Sequence, residues 1–126
     1  MIIRKIFKRV GMLLLLIIIA ISIWLCLAIH RFNQDSKYTF NEAVKNKNTL
    51  VIVYKPSCKR CHRVLPRLFL EHCLDRKKEI VINGEKLNDE QRDELENRIT
   101  PTFRYKNISY NTANISEVEQ IWSKSH

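Results

Sequence analysis

The stretch that decides the fold is LVIVYKPSCKRCHRVLP, residues 50–66. Its first half is apolar and rich in β-branched residues, which predicts a strand buried on both faces over residues 49–55. A proline and a serine end this strand. Apolar residues then recur at helical spacing, which predicts a helix over residues 59–74. Cys58 and Cys61 therefore lie where a strand gives way to a helix.

Two cysteines separated by two residues suit thiol–disulfide exchange at such a junction. The free N–H groups and the dipole of a helix N-terminus stabilise a thiolate. We predict that Cys58, at the exposed end, is the attacking thiolate and that Cys61, one turn further in, resolves the mixed disulfide. The positive side chains of Lys59 and Arg60, and the neighbouring His62, are predicted to tune the thiolates.

This segment resembles the active-site region of thioredoxin-fold proteins, in which a proline follows the second cysteine by five residues, here Pro66. Further along the chain, residues 99–107 (ITPTFRYKN) are similar to the cis-proline loop of that family and the strand after it. The resemblance implies an α/β, thioredoxin-like fold over residues 38–126. It also implies that Pro101 is cis and faces the cysteine pair, and that Thr100 offers its backbone to an extended substrate segment. No bound cofactor is implied.

Three departures from the family pattern leave the direction of electron flow open. Ser57 stands where many thioredoxins have a tryptophan, and Ile52 falls where thioredoxins proper carry a buried carboxylate that assists proton transfer. The dipeptide Lys59-Arg60 is neither the Gly-Pro of thioredoxin nor the Pro-His or Pro-Tyr of other branches. Because this dipeptide strongly influences the redox potential, an oxidant, a reductant and an isomerase all remain possible.

The rest of the soluble part alternates predicted helices and strands, which indicates a layered α/β fold. We predict helices over residues 39–47, 88–97 and from 116 onward, and strands over 79–83, 102–106 and 108–110. The first and last of these helices open on capping-box sequences, Thr39-x-x-Glu42 and Ser116-x-x-Glu119.

An uncharged run from Val10 to Ile29 precedes the soluble part. At about 1.5 Å per residue it reaches roughly 30 Å, the thickness of a bilayer's hydrocarbon core. It is longer than the apolar region of a cleaved signal peptide and no A-x-A pattern closes it, so we predict an uncleaved transmembrane signal-anchor helix over residues 10–29. Residues 30–37 are polar and are predicted to be a tether of at most about 29 Å.

Charge predicts the orientation of the chain and excludes one class of partner. The basic segment 1–9 is predicted to be cytoplasmic, which places the soluble domain outside the cytoplasm as a single-pass protein of the cell membrane. Without the four basic residues of that segment, the net charge falls from +9 to +5. The remaining basic residues are mixed with acids, which indicates a solvated surface and no nucleic-acid partner.

Two other functions use the same cysteines. The C-x-x-C pair with His62 matches the C-x-x-C-H attachment signature of c-type haem, for which His72 or His126 would have to be the second axial ligand. A zinc site would need His62 with Cys73 or His72, and lacks a second knuckle-like pair. A copper chaperone needs only the two soft thiolates.

The favoured prediction is a membrane-anchored thiol–disulfide oxidoreductase acting on extracytoplasmic cysteine-containing proteins or peptides, together with an unidentified redox partner. Small anchored proteins of this kind resemble the accessory proteins that help secreted peptides such as bacteriocins to form their disulfides.

Overall fold

A four-stranded mixed sheet with helices on both faces forms the soluble part of the computed structural model, which describes residues 1–97 and 99–126. In chain order the elements are α1 (Ile2–Asp35), α2 (Phe40–Lys45), β1 (Val51–Tyr54), α3 (Lys59–Glu71), β2 (Ile80–Asn83), a 3-10 turn (Gly84–Lys86), α4 (Asp89–Glu94), β3 (Thr102–Tyr105), β4 (Ile108–Asn111) and α5 (Ile115–Ser125). The strand order is β2-β1-β3-β4, with β1 parallel to β2 and the other pairs antiparallel. Each predicted strand is present.

Strand β1 lies in the middle of the sheet and is covered on both faces. Leu50 and Ile52 join one apolar cluster with α1, α3 and α5, whereas Val51 and Val53 join a second cluster with α2 and with residues flanking α4. Side chains of a strand alternate between the two faces, so a strand covered on both sides needs apolar residues at every position. This explains the uninterrupted apolar run in the sequence.

Helix α3 packs its apolar face on the sheet through Val64, Leu65, Leu68 and Phe69, all buried. Pro66 lies within the helix and faces solvent. The helix ends at Glu71, three residues earlier than predicted.

The helix starts are set by side-chain caps. Thr39 and Glu42 form the predicted capping box of α2. The predicted box of the last helix is wrong, because α5 begins at Ile115 and its N-cap is Asn114, two residues before Ser116. The Asn114 Oδ1 accepts hydrogen bonds from the backbone N–H groups of Ser116 and Glu117. An asparagine at the N-cap satisfies N–H groups that the helix itself leaves free.

Helix α1 continues through the segment that was predicted to be a tether. Residues 30–35 are helical, and Ala28, Arg31 and Asp35 are buried against the domain. The Phe32 ring packs edge-on against the rings of Tyr54 and Phe69, and in both pairs the ring centroids are 5.3 Å apart. The tether prediction is therefore wrong for these residues, because one side of this polar segment packs against the domain.

An ion pair explains how charged residues can be buried in this segment. The Arg31 guanidinium donates two hydrogen bonds of 2.7 Å to the carboxylate of Glu79, which is fully buried, and others to the carbonyls of Asp75 and Lys77. Burial raises the pKa of Glu79, but hydrogen bonds from the side chains of Arg31, His126 and Asp35 outweigh the effect of burial and hold the pKa at about 2. Burial, with the nearby Glu79 carboxylate, raises the pKa of Asp35 to about 8.

The N-terminal part of α1 extends away from the domain. Within the described residues, α1 is the one helix long and apolar enough to cross a membrane, with a mean hydropathy of 3.1 over its most apolar 18-residue window. Most of its apolar side chains up to Ile23 are exposed.

Candidate active site

Cys58 is the N-cap residue of α3, directly after the turn that ends β1. Its Sγ accepts a hydrogen bond of 3.2 Å from the backbone N–H of Cys61, and its own N–H donates to the carbonyl of Lys55. The first N–H groups of a helix have no partner inside the helix, so a sulfur at the N-cap receives them. The strand-to-helix junction thus places the Cys58 sulfur where a negative charge is favoured.

The loop before β3 closes the other side of the site. The peptide bond between Thr100 and Pro101 is cis, and both residues are buried. The Cys58 Sγ lies 3.4 Å from the Thr100 carbonyl oxygen. Thr102 holds this loop in place, because its Oγ1 lies 2.7 Å from the Oδ1 atoms of Asn97 and of Asn111.

The two thiols differ in burial and in acidity. Burial raises the pKa of the half-buried Cys58 thiol, but hydrogen bonds from the side chains of Cys61 and Thr100 and from the backbone N–H groups of Cys61 and Arg60 outweigh it, so the pKa is lowered. Cys61 is 3 % exposed, and burial together with its hydrogen bond to Cys58 raises its pKa to about 11. Cys58 is therefore the more acidic thiol of the pair.

The residues predicted to tune the thiolates lie in the first turn of α3. Lys59 is exposed and Arg60 is half-buried. Arg60 contributes to the lowered pKa of Cys58 through its backbone N–H. The exposed His62 has its Nε2 2.5 Å from the carbonyl oxygen of Pro56. The effect of the Lys59 and Arg60 charges on Cys58 stays a prediction.

Two features beside the cysteines were not predicted from the sequence. The Ser57 hydroxyl donates to the Glu85 carboxylate at 3.0 Å, which places an acid at the mouth of the site. An apolar cavity of about 410 Å³ lies between α1 and α3, and we call it the α1–α3 groove. It is lined by Leu25, Ala28, Ile29 and Phe32 of α1, by Tyr54, Lys55 and Pro56, and by Cys61, His62, Leu65, Pro66, Phe69 and Leu70 of α3. No local pattern signals either feature, since each joins residues far apart in the chain.

The histidines considered as haem or zinc ligands are engaged elsewhere. His72 lies between the carboxylates of Asp75 and Glu119, at 3.0 Å and 2.7 Å. His126 stacks on Trp122 with ring centroids 4.0 Å apart, and its Nε2 lies 3.2 Å from the Glu79 carboxylate. Both rings thus make these contacts with residues outside the cysteine pair.

Comparisons with known proteins bear on the fold. No protein-family model matches the chain, and no curated protein does. Among solved structures, thioredoxin f2 of Chlamydomonas reinhardtii is similar, with a TM-score of 0.50 and 22 % sequence identity over 68 % of this chain and 84 % of that one. At this identity the likeness concerns the fold alone. The mixed sheet flanked by helices, the cysteine pair at the start of α3 and this structural neighbour together confirm the prediction: the chain has a thioredoxin-like fold preceded by a long apolar helix.

Proposed function

We propose that this chain is a membrane-anchored thiol–disulfide oxidoreductase in which Cys58 attacks and Cys61 resolves. The observation that carries the proposal is the contrast between the two thiols. Cys58 is accessible and has a lowered pKa, whereas Cys61 is buried and has a pKa of about 11. Pairs of groups whose surroundings push their pKa values apart are typical of sites that divide chemical roles between them.

The reducing direction of the reaction can be written in two displacements. The Cys58 thiolate attacks one sulfur of a substrate disulfide, a mixed disulfide forms, and the other substrate sulfur leaves as a thiolate. Cys61 then loses its proton and attacks the Cys58 sulfur, which releases the second substrate thiolate and leaves a Cys58–Cys61 disulfide. Two electrons pass from the pair to the substrate, and the oxidising direction is the reverse.

Formation of the mixed disulfide is expected to make Cys61 easier to ionise for the second displacement. Besides burial, the pKa of Cys61 is raised by its hydrogen bond to Cys58 and by the charge on Cys58. Both of these contributions disappear when Cys58 becomes part of a mixed disulfide and can no longer be negatively charged. The pKa of Cys61 is therefore expected to fall at the stage when Cys61 must ionise.

The substrate is proposed to lie along the loop before β3. The Thr100 carbonyl adjoins the Cys58 sulfur and the cis Pro101 follows it, so an extended segment with its cysteine at Cys58 could add its backbone to this loop. We propose extracytoplasmic cysteine-containing proteins or peptides as substrates, with secreted peptides such as bacteriocins as one class. The basic N-terminal segment and the apolar run of α1 support an anchor whose domain faces away from the cytoplasm.

Trapping of mixed disulfides tests the assignment of the two thiols. In the full chain, Cys61→Ser is expected to accumulate reducible adducts with substrates on a non-reducing gel, because the intermediate loses its route of escape. Cys58→Ser should trap nothing and be inactive. Cys73→Ser is the matched control, since it removes a cysteine just after α3 that is outside the pair. Adducts that form only through Cys61 would refute the assignment.

Labelling in intact cells tests the orientation. A membrane-impermeant maleimide should react with reduced Cys58 without lysis. Labelling that requires lysis, with the pair reduced beforehand, would place the domain in the cytoplasm.

The direction of electron flow follows from the reduction potential of the full chain in detergent. A value of about −120 mV marks an oxidant, and one of about −270 mV marks a reductant.

A further inference from the structure

The domain contacts part of the apolar run that the proposed anchor would place in the membrane. The Trp24 indole donates a hydrogen bond of 2.6 Å to the carbonyl of Leu70 at the end of α3. One turn later Ala28 is buried against the domain, and Arg31 forms the buried pair with Glu79. The helix is therefore free of the domain only before Trp24.

The free part of the run is too short to cross a bilayer by itself. Residues 10–23 rise about 21 Å at 1.5 Å per residue, whereas the hydrocarbon core is about 30 Å thick. With Trp24 held against α3, the shortfall of about 9 Å is removed if the domain surface around Trp24 lies in the outer part of the bilayer. Trp24 is 47 % exposed, and tryptophan favours the membrane–water interface.

The domain surface at that level has the character of an interface. Leu74 is 77 % exposed, and it lies in the chain between Leu70 and Asp75, whose carbonyls are bonded to Trp24 and Arg31 of α1. Because it directly precedes Asp75, it lies near the level of Arg31 along α1. Exposed basic residues follow directly, Arg76, Lys77 and Lys78, of which Lys77 also binds Arg31 through its carbonyl. The acid at the end of α3, Glu71, is paired with Arg67.

We propose that this surface, which we call the membrane face, docks on a bilayer that contains anionic phospholipid. The membrane face consists of the α1–α3 groove, Leu74 and residues 76–78. An acyl chain fills the groove, whose wall on the α1 side continues into the apolar run, and the basic residues meet the anionic headgroups. The proposal rests on the proposed membrane anchoring and is independent of the redox chemistry.

Docking of the membrane face on the bilayer would determine where the redox pair binds its substrates. Cys61 and His62 line the same groove, so the redox pair would lie close to the headgroups. Substrates would then be captured at the membrane surface rather than in bulk solution.

Quenching by brominated lipids tests the docking in the full chain. Leu74→Trp and Ile108→Trp each place a tryptophan at an exposed apolar position, one on the membrane face and one on strand β4. In phosphatidylcholine–phosphatidylglycerol vesicles with bromines near the top of the acyl chain, the added tryptophan at 74 should be quenched and that at 108 should not, after subtraction of the parent signal. The parent signal itself reports the anchor, because Trp24 is exposed and Trp122 is 1 % exposed.

A charge-reversal pair tests the role of anionic lipid. Each basic residue near an anionic surface contributes about fivefold to binding, so Arg76→Glu with Lys78→Glu should lower the docking equilibrium constant by at least about 30-fold. Lys45→Glu with Lys47→Glu, at the end of α2 on the opposite face of the sheet, is the matched control and should leave the quenching unchanged.

The outcomes separate this inference from the proposals on which it depends. Quenching at 74 that is lost in the charge-reversal pair supports it. No quenching at 74 while Trp24 is quenched would overturn the docking and leave the anchor intact. No quenching of either would overturn both, and equal quenching at 74 in phosphatidylcholine alone would overturn the role of anionic lipid. Disulfide exchange by the same vesicles, measured separately, tests the redox function.

Discussion

Replacement of Cys61 by alanine or by serine should distinguish which contact makes Cys58 acidic. The side chain of Cys61 donates a hydrogen bond to the Cys58 sulfur, and this is the largest of the contacts that lower the Cys58 pKa. Serine at position 61 keeps a hydroxyl donor, whereas alanine removes it. The backbone N–H of residue 61, 3.2 Å from the sulfur, is present in both variants.

The expected difference follows from the strength of that hydrogen bond. A hydrogen bond to a charged group contributes about 1.5–3 kcal/mol, and one pKa unit corresponds to about 1.4 kcal/mol. The Cys58 pKa in Cys61→Ala should therefore be higher than in Cys61→Ser by about one unit, the lower end of this range, because sulfur is a weak acceptor.

Thiolate absorbance against pH measures both values in a background with Cys26→Ser and Cys73→Ser, so that Cys58 is the remaining cysteine. The control is Cys58→Ser in the same background, in which absorbance should rise only at alkaline pH as Cys61 ionises. Equal pKa values for the alanine and serine variants would show that the Cys61 side chain does not set the acidity of Cys58, which would then depend on the backbone N–H groups and Thr100.

Three further predictions concern stability. Arg31→Met should destabilise the full chain in detergent by about 3–5 kcal/mol in denaturant unfolding, because it leaves the Glu79 carboxylate buried without its partner. The pKa of Asp35 is raised to about 8, so the contribution of protonated Asp35 to stability is present at low pH and is lost as the pH rises toward 8. Asp35→Asn should remove this loss of stability with pH. An Asp35→Asn variant whose stability is as pH-dependent as that of the parent would contradict the prediction. Asn114→Ala should cost about 1 kcal/mol in the same assay as the N-cap of α5, whereas Ser116→Ala should change stability by less than about 0.5 kcal/mol.

The parts of the fold that the sequence predicts correctly are those with a local signal. The β-branched run around Ile52 predicts the central strand because a strand with two covered faces tolerates no polar position. Cys58 at the N-cap of α3 is likewise a local consequence of a strand that ends before Pro56 and a helix that begins at Lys59. Such patterns need only neighbouring residues to be interpreted.

The segment after the apolar run shows why the rest could not be predicted. The local sequence does not distinguish Arg31 and Asp35 side chains that are solvated in a tether from the same side chains buried in an ion-pair network. What decides between the two is Glu79, 48 residues away from Arg31, and no local pattern connects them. The same holds for the α1–α3 groove, whose walls come from two helices separated by the whole of α2 and β1.

Asp35 with Glu79 and Cys58 with Cys61 are both pairs whose pKa values are pushed apart, and of these two pairs only the thiols are suited to chemistry. Asp35 and Glu79 are displaced to about 8 and about 2, yet both are at most 1 % exposed and no substrate could reach them. Their shifts are a property of the junction between α1 and the domain. Cys58 is half-buried and adjoins the Thr100 loop. In the proposed reaction its charge is lost when it enters a mixed disulfide, and this is expected to lower the pKa of Cys61. A perturbed pKa therefore indicates a reactive group here only where access and a reversible change of charge accompany it.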